Sequence, residues 1–258
     1  MNTQSHPSMD FKGRAALVTG AGVGIGRAIA EMLADRGSFV GIHYNTSRDG
    51  AAETLASIQQ RGADGIMLQA DLSDFAAATN LVDEFIDKAG RMDVLINNAG
   101  SPVERARMED CSLDLFQQIV NTNLTSAFVV TQRAIPHLRD TGEGAIVNNL
   151  TLSIFTGGSG GAGPYAIAKG GLQVMTRTLA RELAPEIRTN AIMPGVIDTR
   201  HHEVFSTPEK MQEYSRQTPL ARNGQAEEVA TAAVFLASDA AAFMNGALLD
   251  INGGRYLR

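Results

Sequence analysis

A single doubly wound α/β domain, built on a mostly or wholly parallel seven-stranded sheet, is the fold class that this sequence predicts. Three observations predict it. Short apolar runs alternate with longer amphipathic ones, as βα units do when both faces of their sheet are covered. A glycine-rich run, Thr19 to Gly26, lies between the first apolar run and the first amphipathic one. No linker or internal repeat interrupts the alternation over 258 residues, a length that suits one large domain or two small ones.

The elements follow in order. Arg14 to Thr19 reads as the first strand and Gly24 to Arg36 as the first helix. Phe39 to His43 is the second strand, Asp49 to Arg61 the second helix, and Gly65 to Gln69 the strand before a helix over Ala76 to Lys88. Asp93 to Asn97 is the fourth strand, followed by a long helical stretch from Phe116 to Leu138 that holds Pro136 near its end. Ala145 to Asn149 is the next strand. Pro164 to Leu183 is a helix whose first turn tolerates proline, because an N–H there has no intrahelical partner to lose. Ile187 to Met193, Glu227 to Ser238 and Ala247 to Ile251 complete the pattern as strand, helix and strand. The least regular section, 195–223, follows a strand, where open α/β sheets place ligands. It is expected to cover a substrate; an ordinary surface excursion is the rival reading.

Composition excludes several classes. The apolar fraction of 44% supplies a sizeable core, and the net charge of -6 is spread along the chain with no basic stripe for nucleic acid. The one cysteine, Cys111, forms no internal disulfide, which suits a reducing, cytoplasmic compartment. No Cys or His cluster supports a metal site, and no run is long enough to span a membrane. Residues 1–10 are expected to be a flexible tail, with one domain over 11–258.

Two motifs carry chemistry. In Thr19-Gly20-Ala21-Gly22-Val23-Gly24-Ile25-Gly26 the glycines permit a tight turn and let a pyrophosphate approach the backbone, while the helix that opens there offers free N–H groups. Asp71-Leu72, after the third strand, are placed to meet an adenine; a helix cap is the alternative for Asp71. Asn97-Asn98-Ala99-Gly100 ends the fourth strand with small residues that allow a flat ring or ribose to come close. The second motif, Tyr165-Ala166-Ile167-Ala168-Lys169, sets a phenol and an ammonium on one helix face. A nearby cation stabilises phenolate and lowers a tyrosine from its usual value of about 10, so Tyr165 can give a proton to a developing alkoxide or take it back. Lys169 can also bond a ribose. Thr151 and Ser153 are both candidates for a second donor to that oxygen. Asn123, polar in an apolar setting, can hold a water or backbone group beside Lys169, or be a buried structural hydrogen bond. Gly157 to Gly163 lets the chain fold back over the site.

In order along the chain, Thr-Gly-x-x-x-Gly-x-Gly at Thr19, Asn-Asn-Ala-Gly at Asn97, Tyr-x-x-x-Lys at Tyr165 and Pro-Gly at Pro194 resemble the short-chain dehydrogenase/reductase family in its compact single-domain form. The likeness covers Phe11 to Gly254. It implies a Rossmann-type domain and an enzyme transferring hydride between a nicotinamide dinucleotide and a small carbonyl or alcohol. It implies Tyr165 as acid/base, Lys169 as its electrostatic partner and ribose ligand, and Asn123 as a proton-relay residue. Pro194, Gly195 and Ile197 would lie at the nicotinamide, and Thr199 at its amide or the phosphates. The sequence departs from the family's pattern at the catalytic serine: counting along the strand picks Thr151, counting back from Tyr165 leaves Thr151 and Ser153, and Thr151 is preferred.

The end of the second strand bears on the cofactor. Relatives that use NAD often carry an Asp there; here the position is Tyr44, followed by Asn45, Thr46, Ser47 and Arg48, which are suited to a 2′-phosphate. NADP(H) is therefore favoured over NAD(H), although Val23 replaces the arginine of many NADPH-using relatives. The chain is similar to 3-oxoacyl carrier-protein reductases and, through softer features, to reductases of an unsaturated-uronate keto acid. Arg105, Gly158, His201 and His202 are the residues expected at the substrate, a polar ketone or keto acid, with Arg105 suited to a carboxylate. A nucleotide-binding regulator without turnover is the reading from another class. The resemblance and the apolar band of Phe116, Ile119, Val120, Leu124, Phe128, Val129 and Ile135, joined by Leu172, Val174, Met175 and Leu179, imply a homotetramer paired through two helices. The last strand and the C-terminal tail offer a second contact.

Overall fold

β1 (Ala15–Val18) is four apolar residues, all buried, and its side chains divide between two faces. Ala16 and Val18 enter one apolar cluster, Ala15 and Leu17 the other. The same alternation recurs in β4 (Val94–Asn97), where Val94 and Ile96 oppose Leu95, and in β5 (Gly144–Asn149), where Ala145 and Val147 oppose Ile146. Strands buried on both faces are what a parallel sheet sandwiched by helices requires. β2 (Phe39–Tyr44), β3 (Gly65–Gln69), β6 (Ile187–Pro194) and β7 (Leu248–Ile251) complete it. The order is β3-β2-β1-β4-β5-β6-β7, with every pairing parallel. These strands and their helices come from a computed structural model that describes residues 8–199 and 205–257.

Helices cover both faces. α1 (Gly24–Ala34) lies against the helix Ala226–Ala237 (α9 below) on one side; α3 (Phe75–Ala89) and α5 (Ser126–Asp140) lie together on the other. α2 (Arg48–Gln60) flanks β2 and β3. The long helical stretch is interrupted: α4 (Leu113–Val120) runs through a π-turn, Asn121–Thr125, into α5. Asn123 sits in that turn, and its side-chain amide donates to the Ile119 carbonyl at 2.9 Å, so a side chain satisfies backbone that the wider turn loosens. α6 (Ser153–Thr156) is a single turn before α7 (Gly163–Glu182). Three exposed apolar residues, Phe128 on α5 and Ile167 and Val174 on α7, leave these two helices unpartnered on their outer faces, whereas Ile119 and Leu172 of the expected band are buried in the core.

The section expected to be irregular contains an ordered helix, α8 (Pro208–Gln217). Thr207 caps it, accepting from the Lys210 N–H at 3.3 Å, and Pro208 occupies its first turn. It buries no residue fully, so apolar periodicity could not reveal it. α9 (Ala226–Ala237) follows, opened by a reciprocal cap between Gln225 and Glu228. At the other end, Ser8 to Asp10 of the expected tail lie against the core: the Ala240 N–H donates to the Ser8 carbonyl, and Met9 packs on the α1 side. Residues 1–7, His201 and His202 lie outside the described residues. Among the described residues no helix is long and apolar enough to cross a membrane.

Candidate active site

The sheet order reverses between β1 and β4, and the loops leaving the C-terminal ends of these strands part there, opening a crevice. Thr19 ties the two loops: its hydroxyl accepts from the Asn98 and Ala99 N–H groups, both at 3.0 Å, and donates to the Ile96 carbonyl. Asn98 returns the link, its side-chain amide donating to the carbonyls of Thr19 and Gly20 at 2.9 and 3.1 Å. Gly26 must lack a side chain, because a Cβ would overlap the Gly20 carbonyl and the Asn98 amide. Deeper in the sheet, Asn97 donates to Thr131 and Asn148, and Asn148 to Thr176, a buried polar chain that ties β4 and β5 to α5 and α7.

The glycine loop has a support that sequence reasoning missed. The Gly20 N–H donates to His43 Nδ1 at 3.0 Å, so Nε2 carries the ring proton and donates to the Ala70 carbonyl at 3.1 Å. Burial drives His43 down to about 4, which keeps the ring neutral and this tautomer in place. The signal was a histidine in an otherwise apolar strand. Above it, α1 opens at Val23 without a side-chain cap, leaving its first N–H groups at the mouth of the crevice.

The crevice is a cavity of about 810 Å³. Of the residues the sequence predicted, its wall holds Gly20, Val23, Gly24, Ile25, Gly26, Asn45, Asn98, Ala99, Gly100, Arg105, Thr151, Ser153, Tyr165, Lys169, Pro194, Gly195, Ile197 and Thr199. Thr199 lies against Gly24, where a Cβ would stand 3.4 Å from its side chain. Others lie off the wall for visible reasons. Gly22 faces the backbone of Ser47, and Tyr44 packs on the α1 side of the core. Thr46 and Arg48 are exposed at the start of α2. Leu72 is buried on the α3 side, and Gly158 faces the Ala162 backbone. Asp71 closes a turn, accepting from the Ser73 hydroxyl at 2.7 Å and from its N–H at 2.9 Å; those bonds, and one from the Asn45 side chain, hold its carboxyl below the usual range.

At the deep end stand Tyr165 and Lys169, one turn apart on α7, with the ammonium 6.0 Å from the centre of the phenol ring. Lys169 Nζ donates to the Asn149 carbonyl at 2.7 Å. Burial lowers Lys169 to about 8 and pushes the Tyr165 phenol up. The expected lowering of Tyr165 by its cation is not found: loss of solvent, which penalises phenolate, sets the direction. Asn123 stands behind the wall. Its amide donates to the Ser101 carbonyl at 2.6 Å and its oxygen accepts the Ser101 N–H at 3.0 Å. It and Lys169 crowd Gly100, where a Cβ would fall 2.7 and 3.0 Å from their polar atoms. Thr151 accepts the Ser153 N–H at 3.2 Å, which shapes the turn into α6 and leaves its own proton free to be given.

The open side is walled by α8 and the C-terminus. Lys210, Glu213, Tyr214 and Gln217 recur at helical spacing along one face of α8 and all line the cavity. Arg255 joins them, donating to the Tyr214 carbonyl at 2.9 Å and to Gln217 at 2.7 Å. Tyr256 stacks on Phe155 of α6 with ring centres 4.9 Å apart. The spacing on α8 was the signal that would have found these residues.

Residues 20–255 match the family model described as enoyl-(acyl carrier protein) reductase. The 3-oxoacyl-[acyl-carrier-protein] reductase FabG of Staphylococcus aureus is 36% identical over 247 residues, which is 95% of this chain and 98% of that one. Among solved structures, a short-chain dehydrogenase/reductase described as glucose/ribitol dehydrogenase from Brucella melitensis superposes with a TM-score of 0.89 at 31% identity, covering 98% of this chain and 100% of the other. An NADH-dependent reductase, A1-R′, responsible for alginate metabolism, gives 0.89 at 32% identity, with 97% and 100% covered.

Proposed function

The chain belongs to the short-chain dehydrogenase/reductase family, and on that premise we propose that it reduces a small polar ketone or keto acid with Tyr165 as the proton donor. Family membership makes it an NAD(P)-dependent oxidoreductase; the substrate, the proton donor and the cofactor preference are the proposal. The observation that carries it is the pairing of Tyr165 and Lys169 in the same cavity as the uncapped start of α1.

The residues fit a dinucleotide. The Gly20 to Gly26 loop presents bare backbone and free N–H groups for a pyrophosphate, and Gly100, which lines the same cavity, lets Lys169 and Asn123 close in on its backbone. When bound, the nicotinamide supplies the hydride in one direction and accepts it in the other. Tyr165 gives its proton to the carbonyl oxygen as that oxygen gains charge, and takes one from an alcohol in reverse. Thr151 donates a second hydrogen bond to the same oxygen. Lys169, anchored on Asn149, keeps a positive charge below the phenol and bonds the ribose. Asn45, Thr46, Ser47 and Arg48 hold a 2′-phosphate, so NADP(H) is preferred. The enzyme works in the cytoplasm as a homotetramer paired through α5 and α7, in keeping with the single cysteine and the exposed Phe128, Ile167 and Val174.

A second reading, reduction of a 3-oxoacyl chain on a carrier protein, is favoured by the identity to the Staphylococcus aureus enzyme. A third, a nucleotide-binding regulator, is disfavoured because the sheet requires neither Tyr165 nor Lys169. Cofactor oxidation over a panel of ketones, keto acids and 3-oxoacyl thioesters, with NADH and NADPH in parallel, separates them. Turnover of polar ketones supports the proposal, turnover confined to thioesters selects the second reading, and cofactor binding without turnover selects the third.

A further inference from the structure

The geometry points to an anion subsite, formed by Arg105 and Lys210 beside Gly160, that holds the carboxylate of a keto acid; this rests on the reductase reading and names its substrate class. Three segments of the chain meet there. Arg105 comes from the segment after β4, which the Ala106 N–H joins to the Gly161 carbonyl at 3.1 Å. Gly160 comes from the glycine-rich turn after α6, and Lys210 from α8. From the point where a Gly160 side chain would begin, Lys210 Nζ is 3.3 Å away and Arg105 Nη1 is 3.5 Å away. All three residues line the same cavity as Tyr165.

Two cations drawn together in a half-buried wall repel each other unless an anion lies between them. Among the described residues no ion pair joins either one to a carboxylate. Arg105 Nε is buried and without a hydrogen-bond partner, a group that costs free energy until an acceptor reaches it. The guanidinium lies 5.9 Å from the centre of the Phe205 ring. Glu213, the acid on the same wall, is exposed and accepts from Gln217 at 2.8 Å. Arg255, by contrast, is taken up by Tyr214 and Gln217. A carboxylate has two oxygens: one suits a guanidinium N–H of Arg105 and the other an ammonium.

The test uses a series of linear keto acids, from 2-oxo to 5-oxo, with their methyl esters and dihydroxyacetone phosphate, on wild type, R105Q and K210Q. At one spacing or more, wild type should prefer acid to ester by roughly 10-fold or more in kcat/KM. R105Q should raise KM for that acid by roughly 10- to 100-fold, as loss of a charged hydrogen-bonded partner does, and change the ester by less than about 2-fold. K210Q should act in the same direction and less strongly. Equal effects on acid and ester, or a preference for the phosphate over every acid, would overturn the assignment and leave the reductase reading intact. Calorimetry of the same acids with oxidised cofactor and wild-type protein covers a failure of turnover. Binding lost in R105Q, without turnover of any ketone, would keep the anion subsite and remove the reductase reading; neither binding nor turnover would overturn both.

Discussion

The Lys169 ammonium donates a 2.7 Å hydrogen bond to the backbone carbonyl of Asn149, the last residue of β5. That bond fixes the cation at the end of the sheet, while burial lowers it to about 8. The sign follows: Lys169 carries its charge below about pH 8 and loses it as pH rises through that value. The kcat/KM for the reduced cofactor should be flat below about pH 8 and fall about tenfold per unit above it, where an essential cation deprotonates. A pH profile at constant ionic strength measures this, and a flat profile to about pH 10 would remove the requirement for the charge.

Thr151, the proposed second donor, accepts the Ser153 N–H at the turn into α6. Thr151→Val removes the proton offered to the substrate oxygen and should lower kcat by about 100-fold, as loss of one donor to a developing oxyanion does. Ser153→Ala should cost less than about 5-fold by the same reasoning. Turnover of both purified variants, with circular dichroism to confirm folding, decides; a severe loss confined to Ser153→Ala reverses the assignment.

Most of the strands and helices were legible because β1, β4 and β5 bury alternate residues on two opposite faces, and because helix caps and glycines punctuate the chain. α8 was not legible: it buries nothing fully, and its signature is a polar face of Lys210, Glu213, Tyr214 and Gln217 with a Thr207-Pro208 start. Nor was the π-turn at Asn121–Thr125, since one residue of widening hardly shifts an apolar band. Motif spacing located Tyr165, Lys169 and the glycine loop. It did not locate His43 or Lys210, whose roles arise from contacts between separate loops.

The end of β2 carries no carboxylate to repel a 2′-phosphate: Tyr44 is half-buried and Arg48 exposed. Asn45→Asp, on the cavity wall beside Tyr44, should shift the NADPH-to-NADH ratio of kcat/KM toward NADH by about 10-fold or more, the effect of a like charge near a phosphate. Paired kinetics with both cofactors test it. A wild-type enzyme already selective for NADH would contradict the assignment of Asn45 to Arg48.

Phe128, Ile167 and Val174 expose apolar surface on α5 and α7. Pairing through these helices predicts that light scattering at micromolar concentration gives the mass of four chains, and that Val174→Glu dissociates the assembly by placing a charge in an apolar contact. A fully active monomer would defeat the assembly; a dimer would keep the helix pairing and remove the contact expected of the last strand and tail.

Tyr165 stands one helical turn before Lys169 at the deep end of the cavity, with its phenol pushed up by burial. Replacing it with Phe removes one oxygen and its proton while keeping the ring. The most direct measurement is kcat of Tyr165→Phe on a reduced ketone, with NADPH and NADH affinities measured on the same preparation by fluorescence. A loss of at least about 100-fold in kcat is expected, the low end for a missing general acid, with cofactor affinity within about 3-fold of wild type. Wild-type turnover in a folded, cofactor-binding Tyr165→Phe protein would contradict it.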